Sequence, residues 1–465
     1  MTEKISIDNH LDTRYREYSY YVLESRAIPW LCDGLKNVQR RALWIAKDVA
    51  KTKTKVNTLA GLVMPLHPHG DVSISDAIGK LAQDFPGANN YPLFKGDGAF
   101  GDRLSGVGNG IGASRYVSVK VSEFAKQVFL QDLELVETQP SYDGENIEPK
   151  HFLPLVPTVL LNGVQGIAVG FATEILPYKL KDIVDLQIKC LRGEKMKEPM
   201  PYFHGFKGRV FKGEEGGLKS EGIWNKFNAG RELRLDITEL PIGYNRESYI
   251  KVLEGLYEAG RIKDYVDNSK SGFSFTVLLH RGTDWDDEQI RKTFRLESNL
   301  NQNLTIINVD GKLEKFNSVV DIIKQFTDWR FKFYQKRYEK LVIDLTKKID
   351  YDTMLLKFIK FVIKERFLEV MQKTSKQQAG KELEDRGFRF TDKLLATPIY
   401  SFTFEKIKEL QDTIEKDTKQ LDEYRKIHGD TGKRSAIYTD ELKALGRLDN
   451  ERDKLLERQG SAKTD

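Results

Sequence analysis

At 465 residues the chain is too long for one ordinary core, so roughly two to four domains are expected. Hydrophobic residues make up 40% and charged residues 31%, which excludes a disordered chain, and no apolar run approaches the roughly 20 residues of a membrane helix. The net charge of +5, from 74 basic and 69 acidic side chains, is too small to name a partner, so its distribution matters more.

Residues 8–25 carry Leu11, Tyr15, Tyr18 and Val22 at helical spacing behind Asp8, a candidate cap. The start lacks a basic stretch followed by an apolar one, so no secretory signal is expected. Cys32 and Cys190 stand far apart and form no metal-type pair, which fits a reducing compartment such as the cytoplasm. Pro29 and Asp33-Gly34 mark a turn. Residues 35–49 then predict a basic amphipathic helix with Leu35, Val38, Ala42, Leu43 and Ile45 on its apolar side. From Lys36 to Lys55 seven basic residues stand against one acid, Asp48. Such a stripe is either the footprint of a phosphate-backbone binder or a solvated helix face. A third helix is expected from Asp71 through Ile74, Ile78 and Leu81, giving a helix-turn-helix or winged-helix module.

The segment HPHGD, His67–Asp71, sets two imidazoles before that helix start, where they can donate to a phosphate or take up a proton. The plainer reading is a Pro-Gly turn with two polar histidines. GDGAFG, residues 96–101, matches the dinucleotide pattern, but no buried strand precedes it and no amphipathic helix opens after it. Its glycines instead let backbone bend closely around another group. No GxxxxGK[ST] occurs, so no P-loop site is expected.

Ser114-Arg115-Tyr116 ends the glycine loop and leads into the alternating run VSVKVSEF. A tyrosine there is ordinarily packing. Covalent chemistry would need cations around a scissile phosphate, and a free phenol, with a pKa of about 10, would need help to lose its proton. Arg115 is adjacent, and Arg40, Arg41, His67 and His69 are candidates to converge.

From about Pro149 the chain changes character. VPTVLLNG, GRVFKG, ELRLDITELP and FSFTVLLH read as strands among shorter helices, a separate α+β region. DWDDE (Asp284, Asp286, Asp287, Glu288) is better read as a helix start than as a magnesium site. In the last third Phe331, Tyr334, Tyr338, Leu341 and Leu345 repeat at helical spacing, as do Ile407, Leu410, Ile414, Leu421 and Tyr424, with Asp417 breaking the seam. Two such segments around the less regular 375–402 predict an antiparallel coiled coil with a small globular tip, and a frayed helix or disorder after Gly446.

The ordered segments RAIPWLCDGLKNVQRRAL, HPHGD, GDGAFGDR, ASRY and LLNGVQGIAVGFATEI resemble the breakage–reunion domain of type IIA DNA topoisomerases, the group of the gyrase A protein and the C-terminal part of eukaryotic topoisomerase II. AQDFPGANNYPLFKGDGAFGDRLSG is closer to the eukaryotic style and HPHG to the bacterial one. Trp30–Cys32 and Val72 depart from the family's usual residues, and Val72 puts gyrase-type quinolone sensitivity in doubt.

The resemblance implies an α+β multidomain fold: a winged-helix cleavage domain over 1–148, a tower-like α+β domain over 149–320, a coiled coil over 321–432 with an exit-gate tip near 375–402, and a C-terminal helix or partly disordered tail over 433–465. It implies Tyr116 as the nucleophile that forms a 5′-phosphotyrosyl link, with Arg115 beside the phosphate. Arg26, Lys36, Arg40, Arg41 and His69, with His67 a weaker transfer, would hold the cleaved strand, and Ile167 would wedge between base pairs unless it is ordinary strand core. Duplex DNA, a second copy of the chain, and ATPase and TOPRIM partner subunits are implied, the last two supplying ATP and Mg²⁺. No metal or nucleotide site is expected in this chain itself. The rival reading is a dimeric DNA-binding regulator with a coiled-coil arm, which leaves the glycine loop ending in Arg-Tyr without a role.

Overall fold

The aromatic spacing near the N-terminus forms a helix, Ile7–Val22, that passes through a π-turn, Leu23–Ala27, into the Pro29 bend. Its periodic positions Leu11, Tyr15 and Tyr18 are exposed, and Asp8 is the second residue of the helix. The computed structural model describes residues 7–168, 170–214, 216–229 and 232–461. They fall into two compact units, one running up to Arg330 and resuming at Thr439, the other Phe331–Tyr438.

In the first unit the basic helix Asn37–Val49 buries Ala42, Leu43 and Ala46. It packs against Val56–Val63 and Asp71–Ala82, which contribute Leu59, Val63, Ile74 and Ile78. Each large aliphatic side chain so buried stabilises the bundle by roughly 1.5–3 kcal/mol. Val56–Val63 is a helix absent from the sequence-based expectation, although its buried Val56, Leu59, Ala60 and Val63 stand at helical spacing with Asn57, Thr58, Gly61 and Leu62 exposed; two turns are too short for that pattern to stand out. An antiparallel sheet in the order Thr54–Lys55, Ser118–Val121, Phe94–Asp97 completes a winged-helix pattern, with Val119 opposite both Thr54 and Gly96.

Phe94–Asp97 runs into GDGAFG, so a short strand does meet that motif. The chain after it is turn and loop up to Ser118, as the rejection of a dinucleotide site requires. Gly101 shows why: its φ is +76°, and a Cβ there would lie 2.2 Å from the Asn109 carbonyl oxygen. VPTVLLNG, which reads as a strand, instead holds a helical turn, Val159–Asn162. Val159, Leu160 and Leu161 are all buried, so the run carries no period to separate helix from strand. The strand follows instead, as the hairpin Val164–Ala168 with Phe171–Ile175, in which Ile167 faces Ala172.

Farther on, a four-stranded antiparallel sheet orders Ile223–Ala229, Glu232–Glu239, Phe275–Leu278 and Asp264–Asp267. Its alternate residues Leu233, Leu235 and Ile237 bury against Tyr249 and Leu253 of the helix Arg246–Glu258. Among the described residues, no helix is long and apolar enough to cross a membrane.

The second unit is built on the 47-residue helix Val319–Glu365, from Phe331 onward, and on Phe404–Gly429. Tyr334 stacks on Tyr438, Tyr338 meets Tyr424 edge to face, and Lys348 bonds Asp417. As one partner's number rises the other's falls, so the helices run antiparallel. Between them the short helices Phe367–Met371, Lys376–Asp385 and Thr391–Leu395 enclose a small core of Phe358, Val362, Leu383, Phe388 and Leu394. Beyond Gly446 the chain is helical to Ser461, and Asp449 accepts hydrogen bonds from the Tyr91 hydroxyl and from the Lys181 amide within the first unit.

Candidate active site

Tyr116 stands where the glycine loop turns into the strand Ser118–Val121. Its amide donates to the Ala113 carbonyl at 2.8 Å, and its own carbonyl accepts from Lys55 Nζ at 2.8 Å. Val117 behind it is buried, which anchors the turn, while Tyr116 itself is 68% exposed. The packing explanation therefore fails for this ring. Arg115 lies over it, guanidinium carbon 4.8 Å from the ring centroid, a contact worth about 0.5–1 kcal/mol at an exposed site. The result is a presented phenol with a cation on its face.

The HPHG turn gathers a second group. Gly70, at φ +86°, lets the chain reverse into Asp71–Ala82, and the Ser73 hydroxyl donates to the His69 carbonyl at 2.8 Å. The two imidazoles meet edge to face at 4.7 Å. His69 Nε2 lies 2.7 Å from the Tyr21 hydroxyl, and its Nδ1 lies 3.1 Å from Arg26 Nη2. His67 Nδ1 lies 2.9 Å from Arg41 Nη1. Arg41 in turn donates twice to Glu148, Nε to Oε2 at 2.5 Å and Nη2 to Oε1 at 2.9 Å. Burial first, then Arg41, His69 and Arg26, push the His67 imidazolium down to about 4. Burial, then Arg26 and Arg41, lower His69 as well. Both rings are thus favoured as neutral hydrogen-bonding groups.

Arg40 is placed differently. It is 4% exposed and its donors are spent inside the fold: Nε and Nη2 on Asp33 at 2.6 and 2.8 Å, Nη1 on Asn37 at 2.6 Å, Nη2 also on the Leu35 carbonyl. Burial works against its charge, but Asp33 outweighs that and raises its proton affinity. Lys36, whose pKa burial and then Lys80 lower, donates to the Gln165 carbonyl at 2.9 Å. That bond ties the start of the basic helix to the hairpin on which Ile167 stands 81% exposed. Ile167 is therefore not strand core.

The structure brings Arg26, Arg41, His67 and His69 together, and pairs Arg115 with Tyr116. Among the described residues, no hydrogen bond or ring contact joins Tyr116 to the histidine group. Sequence reasoning missed Tyr21 and Glu148, and counted Lys55 only as the end of the basic stripe. Glu148 is 107 positions from Arg41, and nothing local marks it. Asp33 reads in sequence only as a turn residue. In DWDDE, Asp286 accepts from the Gln289 amide at 2.7 Å and caps Asp287–Thr293, the helix-start role expected of it. Among the described residues, no group of three or more His, Cys, Asp and Glu side chains assembles as a metal-holding set.

Residues 26–443 match the family model for the A subunit of DNA gyrase/topoisomerase IV. The DNA topoisomerase medium subunit of Enterobacteria phage T4 is 33% identical over 430 residues, covering 90% of this chain and 94% of that protein. The mitochondrial DNA topoisomerase 2 of Dictyostelium discoideum is 31% identical over 464 residues, covering 95% of this chain, which spans only 35% of that longer protein. The DNA-binding, cleavage and re-ligation domain of Plasmodium falciparum topoisomerase II matches in structure with a TM-score of 0.84 at 26% identity, covering 97% of this chain and 65% of that one.

These comparisons define the class: a type II DNA topoisomerase, and within it the component that cleaves and religates DNA. The chain belongs to the A-subunit family of DNA gyrase and topoisomerase IV, whose model it matches over most of its length.

Proposed function

We propose that Tyr116 is the nucleophile of this protein. Its phenol loses a proton, an Oη–phosphorus bond forms, the bond from phosphorus to O3′ breaks, and the departing oxygen takes up a proton. One phosphodiester replaces another, so the 5′-phosphotyrosyl link keeps the bond energy and religation is the reverse step. Arg115, already over the ring, steadies the phosphate charge. Arg26, Arg41, His67 and His69 hold the strand beside it, and Lys36 contributes positive charge at the foot of the Ile167 hairpin. Arg40 acts from within, by fixing the basic helix. Ile167 wedges into the duplex and bends it, at an unstacking cost of a few kcal/mol that wider contacts offset.

Among the described residues, no set of three or more His, Cys, Asp and Glu side chains that could hold Mg²⁺ assembles. Mg²⁺ and ATP come with TOPRIM and ATPase partner subunits. The phage relative's designation as a medium subunit supports such an assembly. Two copies of this chain act together, each cutting one strand for passage of a second duplex. Exposed Ile399, Tyr400 and Phe404 beside the small core of the second unit supply an apolar face for closing that dimer. The working location is the cytoplasm, of a bacterial host if the chain is phage-encoded.

The observation that carries this reading is the exposed Tyr116 under its own arginine in a member of this family. The test is a detergent-trapped adduct. Wild type with its partner subunits, Mg²⁺ and labelled duplex should yield protein on 5′ ends, and Tyr116→Phe should yield none. Equal yields from both would remove Tyr116 from the role.

A further inference from the structure

Glu148 has no counterpart among the strand-holding residues above, yet it organises two of them. It lies on the short strand Ile147–Pro149 and is nearly buried, with both carboxylate oxygens taken by Arg41. A bidentate clamp of this kind fixes the plane of the guanidinium as well as its position. The third side of that plane is what matters. Arg41 Nη1 is 2.9 Å from His67 Nδ1, and a guanidinium has only hydrogens to offer. The bond therefore requires a lone pair on His67 Nδ1. A ring with a lone pair on Nδ1 is neutral and carries its one N–H hydrogen on Nε2.

We propose that Glu148 is a positioning residue that, through Arg41, locks His67 as the neutral Nε2–H tautomer, a hydrogen-bond donor and not a base in DNA cleavage. The role in cleavage rests on the function proposed above; the tautomer does not. The groups facing His67 are Arg41 from the basic helix, Arg26 from the π-turn, and His69 from its own turn, with Tyr21 behind His69 and Glu148 behind Arg41. Three of these are cationic or can become so, and burial adds to their effect, so a second proton on His67 is opposed from every side. A cavity of about 410 Å³ adjoins Arg41 and Glu148. An unclamped Arg41 has room there to swing away from the histidine.

The test uses the full chain with ¹⁵N-labelled histidine, assigned with His67→Gln. Wild type should show His67 with Nδ1 unprotonated and no titration near pH 6.5, the ordinary histidine value. In Glu148→Gln the amide keeps the shape but loses the charge and one acceptor, so Arg41 can swing away and His67 should titrate above its wild-type value, while burial still holds it below the ordinary one. Arg41→Lys, which cannot span Glu148 and His67 at once, should do the same and stands in if Glu148→Gln folds poorly. In the reconstituted holoenzyme, Glu148→Gln should lower trapped adduct at least about tenfold at neutral pH, a loss in line with misplacement of about an ångström. It should also acquire a step at a higher pH than any His67-linked step of wild type, because a charged His67 would repel Arg41, Arg26 and His69. A wild-type Nδ1–H tautomer would overturn the proposal, and so would His67 titrating alike in wild type and both variants. A yield reduced equally at every pH would leave Glu148 a merely structural residue and refute its positioning role. Failure of wild type to form any adduct would count against the cleavage reading instead, since the tautomer measurement needs neither DNA nor partner.

Discussion

Asp33 and Asp417 are both buried aspartates paired with a base, one in each unit, and their surroundings differ in kind. Asp33 accepts from Arg40 Nε and Nη2 and from the amides of Leu35 and Phe152, so both oxygens are saturated and Arg40 is sealed with them. Asp417 takes one bond from Lys348, whose side chain is half in water, and otherwise interrupts a seam of Leu410, Ile414 and Leu421. A saturated pair resists any change of one partner, because what remains is an unpaired buried charge. A half-open pair can lose its partner to solvent at little cost. The first kind holds a helix in place beneath a reactive surface; the second marks a polar position along a largely apolar and aromatic seam.

The largest effect should come from breaking the saturated pair. Asp33→Asn strips the charge from under Arg40 and should cost about 3–5 kcal/mol in the first unit. Hydrogen exchange resolved by peptide would show it as lost protection in Asn37–Val49 with Phe404–Gly429 unchanged. A loss below about 1 kcal/mol would mean that water reaches Arg40 and that the two pairs are alike.

Next in size is the response to acid, which should have opposite sign in the two units. His67 has a folded pKa depressed to about 4 from the ordinary 6.5, so between those values the unfolded chain binds the extra proton and the native one does not. Stability conferred by this group is full above about pH 6.5 and is lost as pH falls toward 4. At about 1.4 kcal/mol for each tenfold change in proton affinity, the loss is at most about 3 kcal/mol, and smaller to the extent that water screens the neighbouring arginines. In the second unit Asp352 is raised, by burial and also by Asp417, so its native form gains protons before its unfolded form does. That contribution makes the second unit relatively more stable as pH drops through the raised value. Protection compared at about pH 7 and about pH 5, on either side of the ordinary histidine value, should fall more in residues 56–82 than in 344–358; equal acid sensitivity in both segments would remove the His67 explanation.

Much of this contrast is legible in the sequence, and the illegible part has a common cause. The repeat of Tyr334, Tyr338, Leu410 and Leu421 announces paired helices because each helix has one buried side and one wet side. Asp417 is legible as a break in that repeat. Tyr116 is legible only through the order of motifs around it, since a tyrosine before a strand is by itself ordinary. What stays hidden needs contacts distant in sequence: Glu148 to Arg41, and Asp449 to Tyr91. Full burial hides the rest, because Val159–Leu161 shows apolar residues without a period.

The smallest effect on stability should be the most informative about the half-open pair. Asp417→Leu completes the seam and releases Lys348 to water, so the second unit should change by no more than about 1 kcal/mol, with stabilisation the expected sign. If Asp417 serves only as a tolerated polar residue, nothing else should follow. If it sets register, the substitution should let the helices slide, since a single polar position in an apolar seam penalises every alignment that separates it from its partner. Cysteines introduced in place of Tyr338 and Tyr424, whose rings are 5.7 Å apart, report that alignment through their oxidative cross-linking yield. A high yield with Asp417 in place and a reduced one in Asp417→Leu, without a loss of folding, would be the signature of register control. An unchanged yield would instead assign alignment to contacts that the cysteines leave intact, such as the stacked pair Tyr334–Tyr438.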